Sequence, residues 1–536
     1  MTPSVFLILS GTYVGPELVS EFGRLPPCFL PNGTRRLFEE QIAFGRTLSP
    51  QIVVLLPETF DEAAPDRAKL GAGDVRVVRI DERMSISECL AHALATIAHD
   101  GRLFILFGDT LVDYDAQSGP DSFVAGATRH LAKWADFTQD GGAITFHESV
   151  QAGGETREVV AGFFDFADAA LLRRSAETHR EFIAVLNAYA ATRTLRPVPT
   201  ARWLDFGHLH TYYWSRRTEL TARAFNQVTG DGLTIRKTGT PGHKIFAEAS
   251  WFQNLPPRFR PFVPHLIDVS RSPEIAYELE YLHLPVLSEL YCFANLPSGL
   301  WFNIIASCKR FLELCQDTRP DTFEIPPDFH ARFFDDMLVQ KTLGRLETFA
   351  RSARLSLDEP WSLDSAPMPS LSRVVQNLLR LVRPSAAGDI CMWHGDFHFA
   401  NIFFDFRSQR VRVVDPRGML SDGTPTMFGD ARYDIGKLTH SVVGLYDDLI
   451  AGRYALAYDG RHALGLELHV DAERDALIRD YRELRIGSYR CGDAETTAMA
   501  ALLFLSMLPI HDDDRQLQFA LLANGLRLAR DAEALA

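Results

Sequence analysis

The sequence predicts an α/β protein of two domains: a mostly parallel sheet with helices first, then an α+β arrangement rich in helix. Three observations carry this expectation. The chain has 536 residues, 46% of them hydrophobic, which is more than one core of roughly 250–300 residues accommodates. Its first half alternates apolar, β-rich runs with helical patterns. From Leu300 onward helical patterns dominate, broken by short strands around Met392 and Val411.

In the first half, "VFLILS" from Val5, "IVVLLP" from Ile52, "VRVVRI" from Val75 and "RLFILFGD" from Arg102 read as buried strands. Between the last two, "ISECLAHALATIAHD" reads as an amphipathic helix. Strand, helix, strand implies right-handed crossovers in a mostly parallel sheet, and such sheets bind ligands beyond the carboxyl ends of their strands. After about Ser215 the texture changes. "LTIRKTGTPGHKIFAEASWF" reads as a strand, a Gly/Pro turn and a helix. The boundary is expected near Arg217 to Ala222, giving domains of residues 1–218 and 219–536.

Composition narrows the partners. The net charge of −14, from 55 basic and 69 acidic side chains, argues against non-specific attraction to nucleic acid or an anionic membrane. Small anions escorted by a metal stay compatible with it. No apolar run is expected to reach the ~18–20 residues that cross a bilayer, and "MTPSVFLILSGTYVG" has no basic n-region or small-residue cleavage site, so the expected location is the cytoplasm. Seven cysteines, without a C-x-x-C pair, read as reduced and mostly buried.

The sharpest chemical signal is "MWHGDFHFANIFFD" from Met392, followed by "VRVVDPRG". Phosphoryl transfer needs a carboxylate to orient the attacking hydroxyl and oxygen ligands that keep magnesium on the phosphates. Asp396 is the expected base, with Asn401 and Asp415 as the metal ligands. "NIFFD" runs into a strand and "VRVVD" delivers Asp415 at the end of another, so a hairpin would set the three side chains together. Asp and Asn are also favoured in turns, so the weight lies on the ordered set, not on any single residue.

"HGDFHFANIFFD" with "VVDPRG" resembles the catalytic and metal-binding loops of the aminoglycoside phosphotransferase and choline kinase families, relatives of the protein kinases. The resemblance extends from about Phe225 to the C-terminus. It implies a two-lobed α+β domain that phosphorylates a small alcohol with ATP. It gives His394 a structural role at the start of the loop and makes Asp434, in "GDARYDIGKL", a supporting acid. A strand lysine for the α/β-phosphates and a helix glutamate to fix it are implied upstream. Lys237 and Glu248 are the choices, Lys244 being the rival lysine. "YELEYLHLPVLSEL" resembles the interlobe hinge, where backbone atoms at Glu280 to Leu282 would meet adenine.

In the first half, "GRLPPCFLPNGTRRLFEEQI", "LFGDT", "VVAGFFDF" and "ARWLDFGHLHTYYWSR" occur in that order. They resemble the sugar-phosphate nucleotidyltransferases, enzymes with a Rossmann-like sheet that join a nucleoside triphosphate to a phosphorylated sugar or alcohol and release pyrophosphate. The resemblance makes Asp109 and Asp205 the metal-binding aspartates. The chain departs from the family where a Pro-Lys pair is usual, because Cys28 follows Pro27. Backbone groups at Gly11 and Gly15 could still approach phosphates, with the dipole of a helix at "PELVSEF" and with Arg24 as the substitute cation. Otherwise this domain is catalytically weak or only binds a ligand.

Taken together, the two resemblances imply one polypeptide that phosphorylates a sugar, polyol or amino-alcohol and then couples the phosphate to a nucleoside triphosphate. The expected co-substrates are ATP and a second nucleoside triphosphate, with Mg²⁺, and the product would serve surface polysaccharide or lipid decoration. A choline-type acceptor requires an aromatic cage, to which Trp393 and Trp251 are not assignable from sequence; the sugar or polyol reading is favoured because the family that the first half resembles handles sugar phosphates. A kinase fused to a sensing domain and a non-enzymatic binding protein are the rival expectations.

Overall fold

The computed structural model describes residues 4–130, 134–148, 156–223, 228–229, 233–272, 274–321 and 324–536. Phe225, at the start of the kinase-like resemblance, lies outside them. The chain forms two compact units: Met1–Glu219 with Phe293–Asn295, and Leu220–Cys292 with Leu296–Ala536.

The first unit is built on a seven-stranded mixed sheet. Its spatial order is Arg196–Pro199, Ser122–Thr128, Arg157–Phe166, Leu103–Phe107, Val5–Leu9, Gln51–Pro57, Arg76–Ile80. Val5–Leu9 lies parallel to both its neighbours, and Arg157–Phe166 runs antiparallel to both of its own. The chain leaves Val5–Leu9 toward one edge and returns at Leu103–Phe107 on the other side. This reversal opens a crevice at the carboxyl ends of those two strands, the usual ligand position in an open α/β sheet.

The helix Ile86–Ile97 begins with a capping box, in which the Ser85 hydroxyl accepts from the Glu88 N–H and the Glu88 carboxylate accepts from the Ser85 N–H. Its buried Cys89, Leu90, Ala93 and Leu94 join Val78, Ile80, Leu103 and Ile105 in the core, each large aliphatic side chain contributing about 1.5–3 kcal/mol by burial. The strand at "VRVVRI" is less buried than expected. It sits at the sheet edge and buries only Val78 and Ile80, while Arg76 and Arg79 face solvent.

The second unit starts with an antiparallel four-stranded sheet ordered Val228–Thr229, Thr234–Thr238, Ala276–Glu280, Leu266–Ser270. The helix Gly242–Gln253 buries Glu248, Trp251 and Phe252. A mainly helical part follows, carrying the antiparallel hairpin Ile402–Asp405 with Arg410–Val413. A second sheet, ordered Ala366–Ser370, Pro360–Leu363, Ala463–Leu468, Tyr454–Tyr458, was not expected. Its proline-rich strands carry little strand signal, and the pairing of Ser362 with Ala463 is remote in sequence.

Two other expectations meet the structure here. The segment Ala494–His511 is long and apolar enough to cross a bilayer by length and composition, against the expected absence of such a run, and 72% of it is buried inside the fold. Every residue from Thr496 to Met507 is buried, and a helix apolar on all sides is the natural centre of a helical core. All seven cysteines are buried and unpaired.

Candidate active sites

In the first unit the crevice holds Asp109 and Asp205. Asp109 follows the strand Leu103–Phe107, and the short strand Trp203–Asp205 pairs antiparallel with Thr110–Val112, setting Asp205 opposite Thr110. The Phe206 N–H donates to the Asp109 carbonyl at 2.8 Å, so the chain folds back on Asp109. Gly207 then occupies the space between the carboxylates: a Cβ there would stand 2.4 Å from Asp109 Oδ2 and 3.4 Å from Asp205 Oδ1. The Thr110 hydroxyl donates to Asp109 at 3.2 Å, and the Thr211 hydroxyl donates to Asp205.

No lysine or arginine is paired with either carboxylate among the described residues. Burial and the negative charge of Asp109 push Asp205 up to about 7, and burial raises Asp109. Two half-buried carboxylates facing each other call for a cation. The residues therefore fit a Mg²⁺ ion, which keeps several waters and takes only one or two carboxylates plus substrate phosphates. No group of three or more His, Cys, Asp or Glu side chains forms a complete cage among the described residues. The carboxylates open on a cavity of about 340 Å³ whose lining includes Phe107, Trp134, Gly162, Phe164, Trp203 and His208. Gly162 has a φ of 74° at a register shift in Arg157–Phe166, a bulge beside a site.

The other expected residues of this unit divide. Gly11 lines a second cavity of about 130 Å³ together with Asp109 and Gly108, and a Cβ on Gly11 would meet Ile80 at 3.2 Å. Gly15 precedes the helix Pro16–Phe22 and faces open space. Arg24 is engaged elsewhere: it pairs with Glu82 and lies 3.9 Å over the Tyr13 ring. Cys28 is fully buried, its N–H donates to the Ser10 hydroxyl, and burial pushes its thiol up to about 12. A neutral, buried thiol does not replace a phosphate-binding lysine.

In the second unit Lys237 ends the run "LTIRK" and points its ammonium between two carboxylates, 2.7 Å from Glu248 Oε2 and 2.9 Å from Asp415 Oδ1. The Tyr277 hydroxyl donates to the same Glu248 oxygen at 2.8 Å. Lys244 stays 4.0 Å from Glu248 and is 51% exposed, so Lys237 is the lysine that the helix carboxylate fixes. Gly418, with a φ of 66°, lets the loop after Asp415 lie directly on the helix, since a Cβ there would stand 2.4 Å from the Ala247 carbonyl oxygen.

Asp396 lies beside this group. Asn401 donates from Nδ2 to the Asp396 carbonyl at 3.0 Å and to its carboxylate at 3.2 Å. Its second carboxylate oxygen takes the Lys437 ammonium at 2.8 Å. Burial opposes the Asp396 charge, but Lys437 and His398 hold the carboxyl well below its ordinary range. The loop is pinned from beneath: buried Asp434 accepts the His394 and Gly395 N–H groups at 2.7 and 2.8 Å, and His394 Nδ1 accepts the Asp396 N–H at 3.3 Å. Asn401 and Asp415 offer oxygen donors of the kind a hard cation takes, with phosphates and water completing its shell.

In the segment expected as the hinge, the Glu280 N–H donates to the His265 carbonyl and its carboxylate pairs with Arg412 at 3.0 Å. The Tyr281 N–H donates to the Leu233 carbonyl. The Leu282 N–H meets no acceptor among the described residues. Trp251 and Trp393 are 1% and 0% exposed, the Trp251 indole N–H donating to the Trp393 carbonyl, so neither forms a cage. Sequence reasoning missed Lys437 and the two spacing glycines, Gly207 and Gly418. Lys437 stands three residues after Asp434, on the same helix face, which is the only signal that pointed to it.

No family model and no curated protein matches the sequence. Among solved structures, the chain is similar to a candidate glucose-1-phosphate thymidylyltransferase from Bacillus anthracis, at 13% identity over 42% of this chain and 98% of that one, with a TM-score of 0.34. It is also similar to CTP:phosphocholine cytidylyltransferase from Streptococcus pneumoniae, at 12% identity over 41% and 100% of the two chains, with a TM-score of 0.32. A candidate aminoglycoside phosphotransferase from Ralstonia eutropha shares 15% identity over 58% of this chain and 88% of its own, with a TM-score of 0.32. In fold, the chain resembles both kinds of protein. At such scores the chemistry of each site rests on its own side chains.

Proposed function

We propose that the chain is a bifunctional enzyme that phosphorylates a small alcohol with ATP and couples the resulting phosphate to a nucleoside triphosphate. The observation that carries the first activity is the Lys237 ammonium held between Glu248 and Asp415, beside the hydrogen-bonded Asp396–Asn401 pair. Lys237 would neutralise phosphate charge, and Asp396 would orient the acceptor hydroxyl. Its depressed pKa makes it an orienting acceptor that takes the proton late, as suits a loose phosphoryl-transfer transition state. Magnesium, held by Asn401 and Asp415 in this site and by Asp109 and Asp205 in the other, would supply charge neutralisation on the phosphates.

In the nucleotidyltransferase-like unit, backbone groups near Gly11 would approach the triphosphate while the acceptor phosphate sits against the cavity by Asp109 and Asp205. The product of one site is chemically the substrate of the other, which supports an NDP-activated sugar or polyol as the outcome. A second reading, an active kinase joined to a unit that binds but does not transfer, is favoured by Cys28 and by the engagement of Arg24 with Glu82.

A mass-spectrometric assay separates them. The protein is incubated with Mg²⁺, ATP, the other nucleoside triphosphates and a pool of sugars, polyols and amino-alcohols, beside the Asp396→Asn variant. A nucleotide adduct that disappears in the variant supports the two-step enzyme. A phosphorylated alcohol without adduct supports the second reading, and neither product overturns both.

A further inference from the structure

On one side of Asp396 the second unit gathers four cations. Lys437 takes the Asp396 carboxylate at 2.8 Å. One turn earlier on the helix Ala431–Val442 and on the same face, the Tyr433 hydroxyl accepts from Lys341 Nζ at 2.7 Å. Lys341 opens the helix Lys341–Ala353, and Arg345 follows one turn later on its face. Arg417 approaches from the loop after Asp415: its N–H donates to the His394 carbonyl at 2.8 Å, and its Cβ stands where a Cβ on Gly395 would come within 2.6 Å.

Three of these cations lack an ion-pair partner. Among the described residues neither Lys341, Arg345 nor Arg417 makes an ion pair, and their donors go to neutral acceptors, Arg345 to the Ser506 carbonyl and Arg417 to the Met419 carbonyl. Asp335 and Asp336 accept from Gln340 and Ser421 and form no ion pair with these cations among the described residues. Burial and the charges of Arg417, Lys437 and Arg345 push the Lys341 ammonium well below its ordinary range, with Asp396 as the opposing charge. In a chain of net charge −14, four cations around one carboxylate is a local reversal that costs stability unless a bound anion offsets it. A cationic acceptor would add to the repulsion, and a neutral one would leave it.

We propose that the acceptor of the phosphoryl-transfer site is an alcohol that already carries an anionic group, a carboxylate or a phosphate, recognised by Lys341, Arg345 and Arg417. The inference rests on the reading of Asp396 as the residue that orients the acceptor hydroxyl. In the step, the acceptor oxygen bonds to the γ-phosphorus as the bond to the β,γ-bridging oxygen breaks. ADP leaves with that electron pair, and the hydroxyl proton passes to Asp396.

The test measures Mg²⁺-ATP binding by the full chain, then initial rates of ADP release with four acceptor classes: uronic and aldonic acids, sugar phosphates, their neutral parents, and amino sugars. The expected result is a kcat/KM for a carboxylate or phosphate acceptor about 10-fold or more above its neutral parent. The first two classes tell the two anions apart. Lys341→Met should raise KM for the anionic acceptor and bring the ratio toward unity, and Lys341→Arg should restore it. Neutral or amino acceptors used equally well or better, no turnover of any anionic acceptor, or a ratio unmoved by Lys341→Met would overturn the inference. Turnover of other acceptors alone sinks this inference and leaves the kinase standing, whereas loss of Mg²⁺-ATP binding together with all turnover sinks both. If Lys341→Met does not fold, the wild-type ratio decides.

Discussion

The two sites handle negative charge in opposite ways. In the second unit each of the key carboxylates has a lysine of the same chain, Asp415 and Glu248 sharing Lys237 and Asp396 holding Lys437. In the first unit Asp109 and Asp205 face each other across Gly207 with no such partner among the described residues. Asp396 is held well below the ordinary carboxylate range, while Asp205 is pushed up to about 7 by burial and by Asp109. A site whose carboxylates are paired internally is assembled before its ligand arrives. One whose carboxylates repel leaves the balancing to an incoming cation.

The largest break in this comparison should come from Asp396→Asn. Phosphorylation of the alcohol should fall by about 10²–10⁴-fold, while coupling of a pre-phosphorylated acceptor to a nucleotide continues, both read by mass spectrometry. Gly207→Ala should do the reverse. Its methyl group meets Asp109 Oδ2, and a displacement of about 1 Å can cost about 10²-fold, so nucleotide adducts should diminish while ADP release is kept.

Stability sharpens the contrast further. Lys237→Met strands the buried Glu248 carboxylate and should destabilise the second unit by about 3–5 kcal/mol in denaturant titration. The double variant with Glu248→Met should recover most of that loss. Lys244→Met, at an exposed side chain 4.0 Å from Glu248, should stay within about 0.5 kcal/mol.

A modest effect of the opposite sign is expected at the other site. Asp205→Asn removes one of two facing charges, and without metal it should raise the melting temperature of the first unit by about 2–4 °C, corresponding to about 1 kcal/mol. Added Mg²⁺ should stabilise the wild type and lose that effect in the variant. A fall in melting temperature on Asp205→Asn would mean that the repulsion between the carboxylates has been misjudged.

By itself the sequence determined the elements whose signal is local. The apolar runs at Val5, Ile52 and Leu103, the capping box at Ser85 and the strand–turn–helix around Lys237 are set by neighbours a few residues away, and periodicity and capping chemistry are written at that range. The loop from His394 to Asn401 was legible for the same reason. Lys437 and Asp396 meet only because Asp434 carries the loop onto the helix Ala431–Val442. The facing of Asp109 and Asp205 needs the pairing of Asp205 with Thr110. The burial of "LLFLSM" at the centre of a helical core and the sheet joining Ser362 to Ala463 likewise depend on contacts between distant segments. Pairing, spacing and uncompensated charge are properties of side chains brought together from far along the chain, and only the tertiary structure decides them.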